Sequence, residues 1–394
     1  MKILILNADT DEFLRWFYGS SPGLEYTTYD AQLRARYETL YGFSDFYSRN
    51  FAAHGHEARE IFTSNIWLQS AWAREHGIAT PSVPTTILRE DGHLVSRVKR
   101  ALRRYKSALR PLGQGLGLVR TTPSFLKSIL LSQVEEMQPD VIINQTTSAI
   151  DADTMRLVKA NGRTLVVQQG VALAKNVDLS PYDFGMSMLP WVVDRFREQG
   201  IQGEQVHLAF ESSVLERLGP PPAKDIEVSF VGNIAPSHGT RIKLLEQIAE
   251  RFPIALWLPS LNGLPPDSPL RKYHRGQAWG RGMYDVLRRS RIVWNSHIDD
   301  ARDFAGNMRL FEATGVGSFL MTDNKSNLAT LLRPGEEVAA YDSVDDCLRG
   351  VEHFLEREDD REEIARRGQA KTLGEHSYRR RTEQILGLVA KYGR

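Results

Sequence analysis

The stretch DDARDFAGNMRLFEATGVGSFLMTD, Asp299 to Asp323, decides the fold class. Gly306 and Asn307 open a helix there, and an exposed helix start offers free N–H groups and the positive end of the helix dipole to an anion. Arg309 adds a full positive charge. Leu310, Phe311 and Ala313 supply the packing face, Gly315 suits a left-handed cap at the helix end, and Ser318 to Met321 runs on as a short buried strand. Glu312 stands in this apolar setting. A carboxylate so placed needs donors, and the vicinal hydroxyls of a ribose are one natural pair. The unit therefore reads as half of a nucleotide site. A plainer arrangement has the same spacing: Arg309 and Glu312, three residues apart, can form an intrahelical ion pair on a solvated face.

Upstream of this unit the alternation continues. Val228 to Val231 reads as strand, Arg241 to Arg251 as helix, Ile254 to Leu258 as strand, Met283 to Ser290 as helix and Ile292 to Asn295 as strand. In the first half, Lys2 to Asn7, His56 to Thr63, Asp140 to Gln145 and Thr164 to Gln168 are strand candidates with helical patterns between them. One such pattern, 124–138, is apolar at Phe125, Leu126, Ile129, Leu130 and Val134 and is stopped by Gln138-Pro139-Asp140. Strands alternating with helices imply parallel sheets. The stiff run GPPPAKD after Leu218 breaks the pattern and marks a boundary. The expected organisation is α/β: a Rossmann-like domain at 1–218, a linker at 219–225, a second Rossmann-like domain at 226–375, and a helix at 376–394 packing back on the first. Two doubly wound sheets joined this way face a cleft at the carboxyl ends of their strands.

Composition narrows the function. The 394 residues are 41% hydrophobic and 25% charged with a formal net charge of +1, an ordinary globular balance that argues against a nucleic-acid partner. A single cysteine, Cys347, excludes an internal disulfide framework and cysteine-rich metal sites, and reads as a packed residue. MKILILNADT lacks the marks of a secretory signal and reads as a first strand, and no apolar run approaches the ~20 residues of a membrane span. A cytoplasmic protein is expected. The basic, amphipathic stretch 95–110, VSRVKRALRRYKSALR, suits peripheral contact with the inner face of a membrane, or equally a solvated surface helix. The glycines of PLGQGLGLV follow no strand and are not a dinucleotide fingerprint.

Candidate residues cluster at strand ends. Gly232 and Asn233 follow a strand, and a glycine loop there can approach a diphosphate with Arg241 as counter-charge. Trp279, Gly280 and Tyr284 can form a turn against a base, or serve as core anchors. Asn295, Ser296 and His297, polar after a buried strand, must face a cleft or solvent. On the first domain Asn7, Asp9, Asp11 and Glu12, with QQGVA after Gln168, are acceptor-side candidates, Asp9 or Asp11 being a candidate catalytic base. Carboxylates in that position also act as helix caps. His54 and His56 are of a type that serves metal or acid–base chemistry, but their alternating spacing just before a strand reads as a turn. No HExxH or cysteine pair occurs, and the Asp9/Asp11 and Asp151/Asp153 spacings are of a kind that recurs by chance, so no metal and no cofactor are expected.

The pieces VSFVGN, Arg241, QAWGRGMYDVLRRSRIVWNSH, NMRLFEATGVGSFLMTD, PGEEVAAYDS and GEHSY occur in order across 228–378. In these the chain resembles the sugar-nucleotide domain of CgeB-type bacterial glycosyltransferases of the two-domain GT-B fold. QPDVIINQT, YDFGMSMLP and VHLAFE resemble the acceptor domain of that family more loosely. The resemblance implies transfer of a sugar from a nucleotide diphospho-sugar to a glycan, lipid-linked or protein acceptor, without a metal. Glu312 would hold the ribose, Arg241, Asn307 and Arg309 the diphosphate, and the Gly280 region the base. Related retaining families carry a second glutamate eight positions before the ribose glutamate. Here that position is Phe304, with Asp303 beside it, so the stereochemical course is left open. The glycine-rich loop after the first strand is replaced by NADTDEF. A non-hydrolysing sugar-nucleotide epimerase and a nucleotide-sugar-binding module without catalysis are the alternatives.

Overall fold

The computed structural model of the chain describes residues 1–79, 124–159, 162–168, 170, 173, 177–235 and 238–393. The basic stretch 95–110 and the PLGQGLGLV glycines lie outside these residues, as does most of QQGVA. Among the described residues no helix is long and apolar enough to cross a membrane.

Six strands form the first sheet: β1 (Lys2–Asn7), β2 (Glu57–Phe62), β3 (Val141–Asn144), β4 (Thr164–Gln168), β5 (Phe184–Ser187) and β6 (Gln202–Gln205). Their order is β2-β1-β3-β4-β5-β6, and every pair is parallel. The central strands are buried on both faces, which is why KILILN and VIIN are continuous apolar runs. A second parallel sheet has β7 (Ile226–Val231), β8 (Ile254–Trp257), β9 (Ser290–Trp294), β10 (Leu320–Asp323) and β11 (Ala339–Tyr341) in the order β11-β10-β9-β7-β8. In each sheet the strand order reverses beside the first strand, between β1 and β3 and between β7 and β9. Connections leave in opposite directions at such a point and open a crevice at the carboxyl ends of the two strands. The loops after β1, β7 and β9 therefore border the cleft.

Strands β5 and β6, FGMS and QGEQ, escape the sequence pattern. A Cβ built on Gly185 would fall 2.5 Å from the Phe196 ring, and one on Gly203 would fall 2.6 Å from the Val193 carbonyl oxygen. Close approach of the helix Pro190–Glu198 thus requires glycine where a β-branched residue would have signalled a strand.

The opening motif folds as a helix Met308–Gly315 leading into β10. Its end differs from expectation. Gly315 lies inside the helix, where a Cβ would meet the Phe210 ring at 2.3 Å, and the left-handed residue is Gly317 at φ 76°. The glycine is there for contact between the two halves of the chain. The helix Tyr378–Tyr392 lies across the first domain, with the Tyr378 ring 4.9 Å from Tyr47 and 5.3 Å from Phe46. Where the chain returns to that domain, Phe210 N donates to His376 O (2.8 Å) and Tyr378 N to Phe210 O (3.1 Å).

Candidate active site

Two adjoining cavities occupy the cleft. The first, about 380 Å³, lies at the ends of β7 and β8 and is lined by Gly232, Asn233, Trp257, Ser260, Trp279, Met308, Arg309 and Glu312, with Thr10, Glu12 and Tyr41 from the first domain. The second, about 450 Å³, is lined by Asn233, His238, Arg241, His297, Phe304, Gly306 and Asn307, with Met188 and Leu189 opposite. Asn233 belongs to both walls, so the two spaces meet beside the loop after β7.

The helix start is built as its sequence demands. Asn307 has extended backbone, its Oδ1 accepts from Leu310 N (3.2 Å), and its Nδ2 donates to Asn295 Oδ1 (3.1 Å). Asn295 is itself fixed by donating to Thr322 Oγ1 (2.8 Å). The first N–H groups of the helix, those of Met308 and Arg309, have no carbonyl one turn back and are available to a ligand. Just before it, Asn327 pins Ala305 through both backbone groups. Gly306 N donates to His297 Nε2 (3.3 Å), so His297 carries its proton on Nδ1 and gives it to Asp323 (2.7 Å). Burial alone would raise the Asp323 carboxyl; the bonds from His297 and the nearby Lys325 charge outweigh it and hold the group below its ordinary value.

Glu312 is only 6% exposed. Its burial pushes the carboxyl above its ordinary value, and the Arg309 charge opposes that shift. Arg309 Nη1 stands 2.9 Å from Glu312 Oε2 while Nη2 donates to Val231 O (3.0 Å). The pair is close but poorly aligned: Arg309 Nη1 has no hydrogen-bond partner among the described residues. The intrahelical ion pair does form, yet it lies on a cavity wall and not on a solvated face. Arg241 shows the same shortage. It donates to Asn233 O (3.0 Å) and Ser296 O (2.5 Å), its Nε has no partner among the described residues, and burial lowers its pKa. Buried N–H groups without acceptors are costly, and a diphosphate would supply acceptors on both walls.

Several sequence candidates fall elsewhere. Asp9 is not a free base: its carboxylate is buried and gripped by Arg36, with Nη2 to Oδ1 at 2.7 Å and Nε within 3.2 Å of both oxygens. Phe13 and Phe62 rings cover that guanidinium at 4.6 and 4.4 Å. Asp11 is exposed in the first turn of the helix Asp11–Gly19, favouring its dipole, and lines neither cavity. Tyr284 is a core residue at 2% exposure against Phe210. Gly280, at φ 48°, faces Thr39 of the first domain, where a Cβ would come 1.8 Å from the carbonyl oxygen. Trp279 does line the first cavity, its indole packed against Phe13 and Tyr41 and its Nε1 donating to Gln277. Phe304 lines the second cavity and meets Trp191 edge-on, while Asp303 is exposed. Thr10, Tyr41, Met188 and Leu189 were invisible as site residues, because the contact that places them joins segments far apart in sequence. Trp257 and Ser260 carried the usual signal, residues just beyond a buried strand. Among the described residues no group of three or more His, Cys, Asp or Glu could hold a metal ion.

Residues 241–387 match the family model described as glycosyl transferase-like. No curated protein matches the chain by sequence. Solved structures do. Anabaena Alr3699/HepE, crystallised with UDP and glucose, is similar at 11% identity and a TM-score of 0.57 over 99% of this chain and 100% of that one. TarM is similar at 8% identity and 0.57 over 98% of both chains. The sucrose-phosphate synthase tll1590 of Thermosynechococcus elongatus gives 10% and 0.54 over 99% and 98%. At these identities the likeness is one of fold, and it spans both domains and the cleft between them. The chain has the GT-B fold of two Rossmann-like parallel-sheet domains, with a glycosyl transferase-like segment forming most of the second.

Proposed function

We propose that the protein is a glycosyltransferase that takes a sugar from a nucleotide diphospho-sugar and transfers it to a glycan, lipid-linked or protein acceptor. The observation that carries this reading is the buried, imperfectly paired Arg309 and Glu312 side by side on the wall of a cavity at the strand-order reversal. Glu312 receives the ribose hydroxyls, with Trp257 and Trp279 flanking the base. The diphosphate lies where the cavities meet, against the start of the helix Met308–Gly315 and within the fields of Arg309 and Arg241. The sugar occupies the second cavity. An acceptor hydroxyl attacks the anomeric carbon and gives up its proton to solvent, the bond to the phosphate oxygen breaks, and the departing nucleoside diphosphate keeps the electron pair. Groups already in place to hold that charge need no reorganisation as it develops, which is the source of the acceleration. The charge is met by the protein without a metal. The complex of HepE with UDP and glucose supports this use of the fold. We place the protein in the cytoplasm, with contact to the inner membrane face through 95–110 when the acceptor is lipid-linked.

A thermal-shift screen against UDP, GDP, ADP and their sugar conjugates, with and without magnesium, tests the reading. A ligand at a hundredfold excess over its Kd adds about 2.7 kcal/mol to the native state. A selective, magnesium-independent shift is expected. Product analysis then separates outcomes: free nucleoside diphosphate indicates transfer or donor hydrolysis, an altered sugar still joined to nucleotide indicates epimerisation, and binding without turnover indicates a module. No shift with any nucleotide refutes the proposal.

A further inference from the structure

Behind the cleft, at the amino ends of the second sheet, a cavity of about 740 Å³ opens between the linker and the helix Glu358–Glu375. Its basic lining residues are Lys224, Arg288, Arg291, Arg361 and Arg366, against two acidic ones, Glu358 and Glu362. In a chain with a net charge of only +1 this is a local concentration of positive charge.

How these cations are satisfied matters more than their number. Lys224 donates to Ser290 O (3.0 Å), Arg288 to Gly219 O (2.7 Å), and Arg361 to the carbonyls of Phe354 and Leu355. Arg288 and Arg361 are 7% and 4% exposed. Carbonyl oxygens meet the N–H groups of these side chains but carry no full negative charge, so the cations are offset only through space, Lys224 and Arg361 by Glu358 and Glu362 and Arg288 by Asp285. The Arg291 side chain, exposed at the start of β9, makes no hydrogen bond or ion pair with the described residues. Arg366 pairs with Glu363, which is not part of the wall. Glu358 and Glu362, one turn apart and exposed, oppose the field only from the outer helix. Pro221, Pro222, Val316 and Phe319 give the cavity an apolar side.

We infer that this hinge cavity binds a soluble phosphorylated small molecule, its phosphates between Arg291, Arg361 and Lys224 and its organic part against Phe319 and the linker prolines. The site is separate from the cleft, opens on the opposite edge of the sheet, and stands whether or not the chain transfers sugars.

Pyrophosphate is the probe, titrated calorimetrically into the full chain. Three proteins are compared: wild type, Arg309→Ala, which weakens the cleft, and the double variant Arg291→Glu/Arg366→Glu. Both altered hinge residues are exposed, so the fold is retained, and a circular dichroism melt verifies it. We expect hinge binding to survive Arg309→Ala and to weaken at least tenfold in the double variant, with a reduced dependence on salt. Vesicles of phosphatidylcholine containing phosphatidic acid form a second arm. Sedimentation of wild type but not of the double variant, without pyrophosphate binding, overturns the soluble ligand in favour of a lipid headgroup. Pyrophosphate binding that is unchanged in the double variant, or that vanishes in Arg309→Ala, overturns the site itself.

Discussion

Replacing Glu312 by glutamine separates ribose recognition from a merely structural ion pair. The substitution keeps the side-chain volume in a site that is 6% exposed and keeps one carbonyl oxygen, but removes the charge. A hydrogen bond to a charged group is worth about 1.5–3 kcal/mol and a neutral one about 0.5–1.5 kcal/mol; the glutamine carbonyl still accepts the neutral bond, so the difference of about 1–1.5 kcal/mol should weaken nucleoside diphosphate binding roughly 5- to 10-fold. Stability should change little. Burial already disfavours the ionised carboxyl, and Arg309 keeps its bond to Val231 O. Calorimetry with UDP or GDP, whichever shifts the melting temperature, measures the first effect, and urea unfolding the second. Repeating the titration with the 2′,3′-dideoxy ligand closes a cycle. Removing the hydroxyls should cost wild type more affinity than it costs Glu312→Gln, which has only a neutral bond to lose. If instead Glu312→Gln binds like wild type and unfolds at much lower urea, the carboxylate serves only Arg309 and the ribose assignment fails.

Other expectations rest on different parts of the molecule. Arg36→Met strands a buried Asp9 charge and should cost about 3–5 kcal/mol in urea unfolding; an Asp9→Asn protein of native stability but lost turnover would restore Asp9 as a catalytic group. Burial raises the Glu60 carboxyl to about 8 against its donors Ser48 N and Asn7 Nδ2, from an ordinary 4.5. The folded state therefore holds this proton more tightly, and the stability it contributes is full below pH 4.5 and lost as pH rises through 8, by up to about 5 kcal/mol. Glu60→Gln should flatten that decline, and an unchanged pH profile would show that another group is responsible. Gly280→Ala forces a Cβ onto Thr39 O at a left-handed φ and should cost about 2 kcal/mol or more while loosening the Trp279 wall, visible as altered tryptophan emission. Wild-type unfolding with wild-type emission would mean the domains do not meet there.

The second half was the more legible because its chemistry is local. Asn307, Arg309 and Glu312 sit on one helix start, and the residue pattern that marks the helix also marks the anion site. Strand β1 could be read residue for residue because a strand buried on both faces is apolar throughout, whereas β5 and β6 gave way to glycine under helix pressure. Asp9 misled for a definite reason. Its partner Arg36 lies a helix and a loop away, and nothing in NADTDEF announces that the carboxylate turns inward. The same distance hid Tyr41 and Thr10, which join the wall of the first cavity only because the first domain docks its Thr39–Tyr41 turn on Gly280 and Trp279. Conformational glycines such as Gly280 are readable as glycines, but the carbonyl that demands them is not.

The chain passes between its domains twice, once through Gly219–Asp225 and again at His376–Ser377, where Phe210 exchanges backbone bonds with the returning strand of chain. Two attachment points define a line. A single tether would let the halves twist and slide, but a pair leaves one easy freedom, the swing of a door about its pins. Phe210, lodged against Gly315 at one pin, couples that swing to the helix carrying Arg309 and Glu312. Opening the cleft to admit a ligand and closing it to exclude water would then be one rotation, and a side chain at position 315 would jam it.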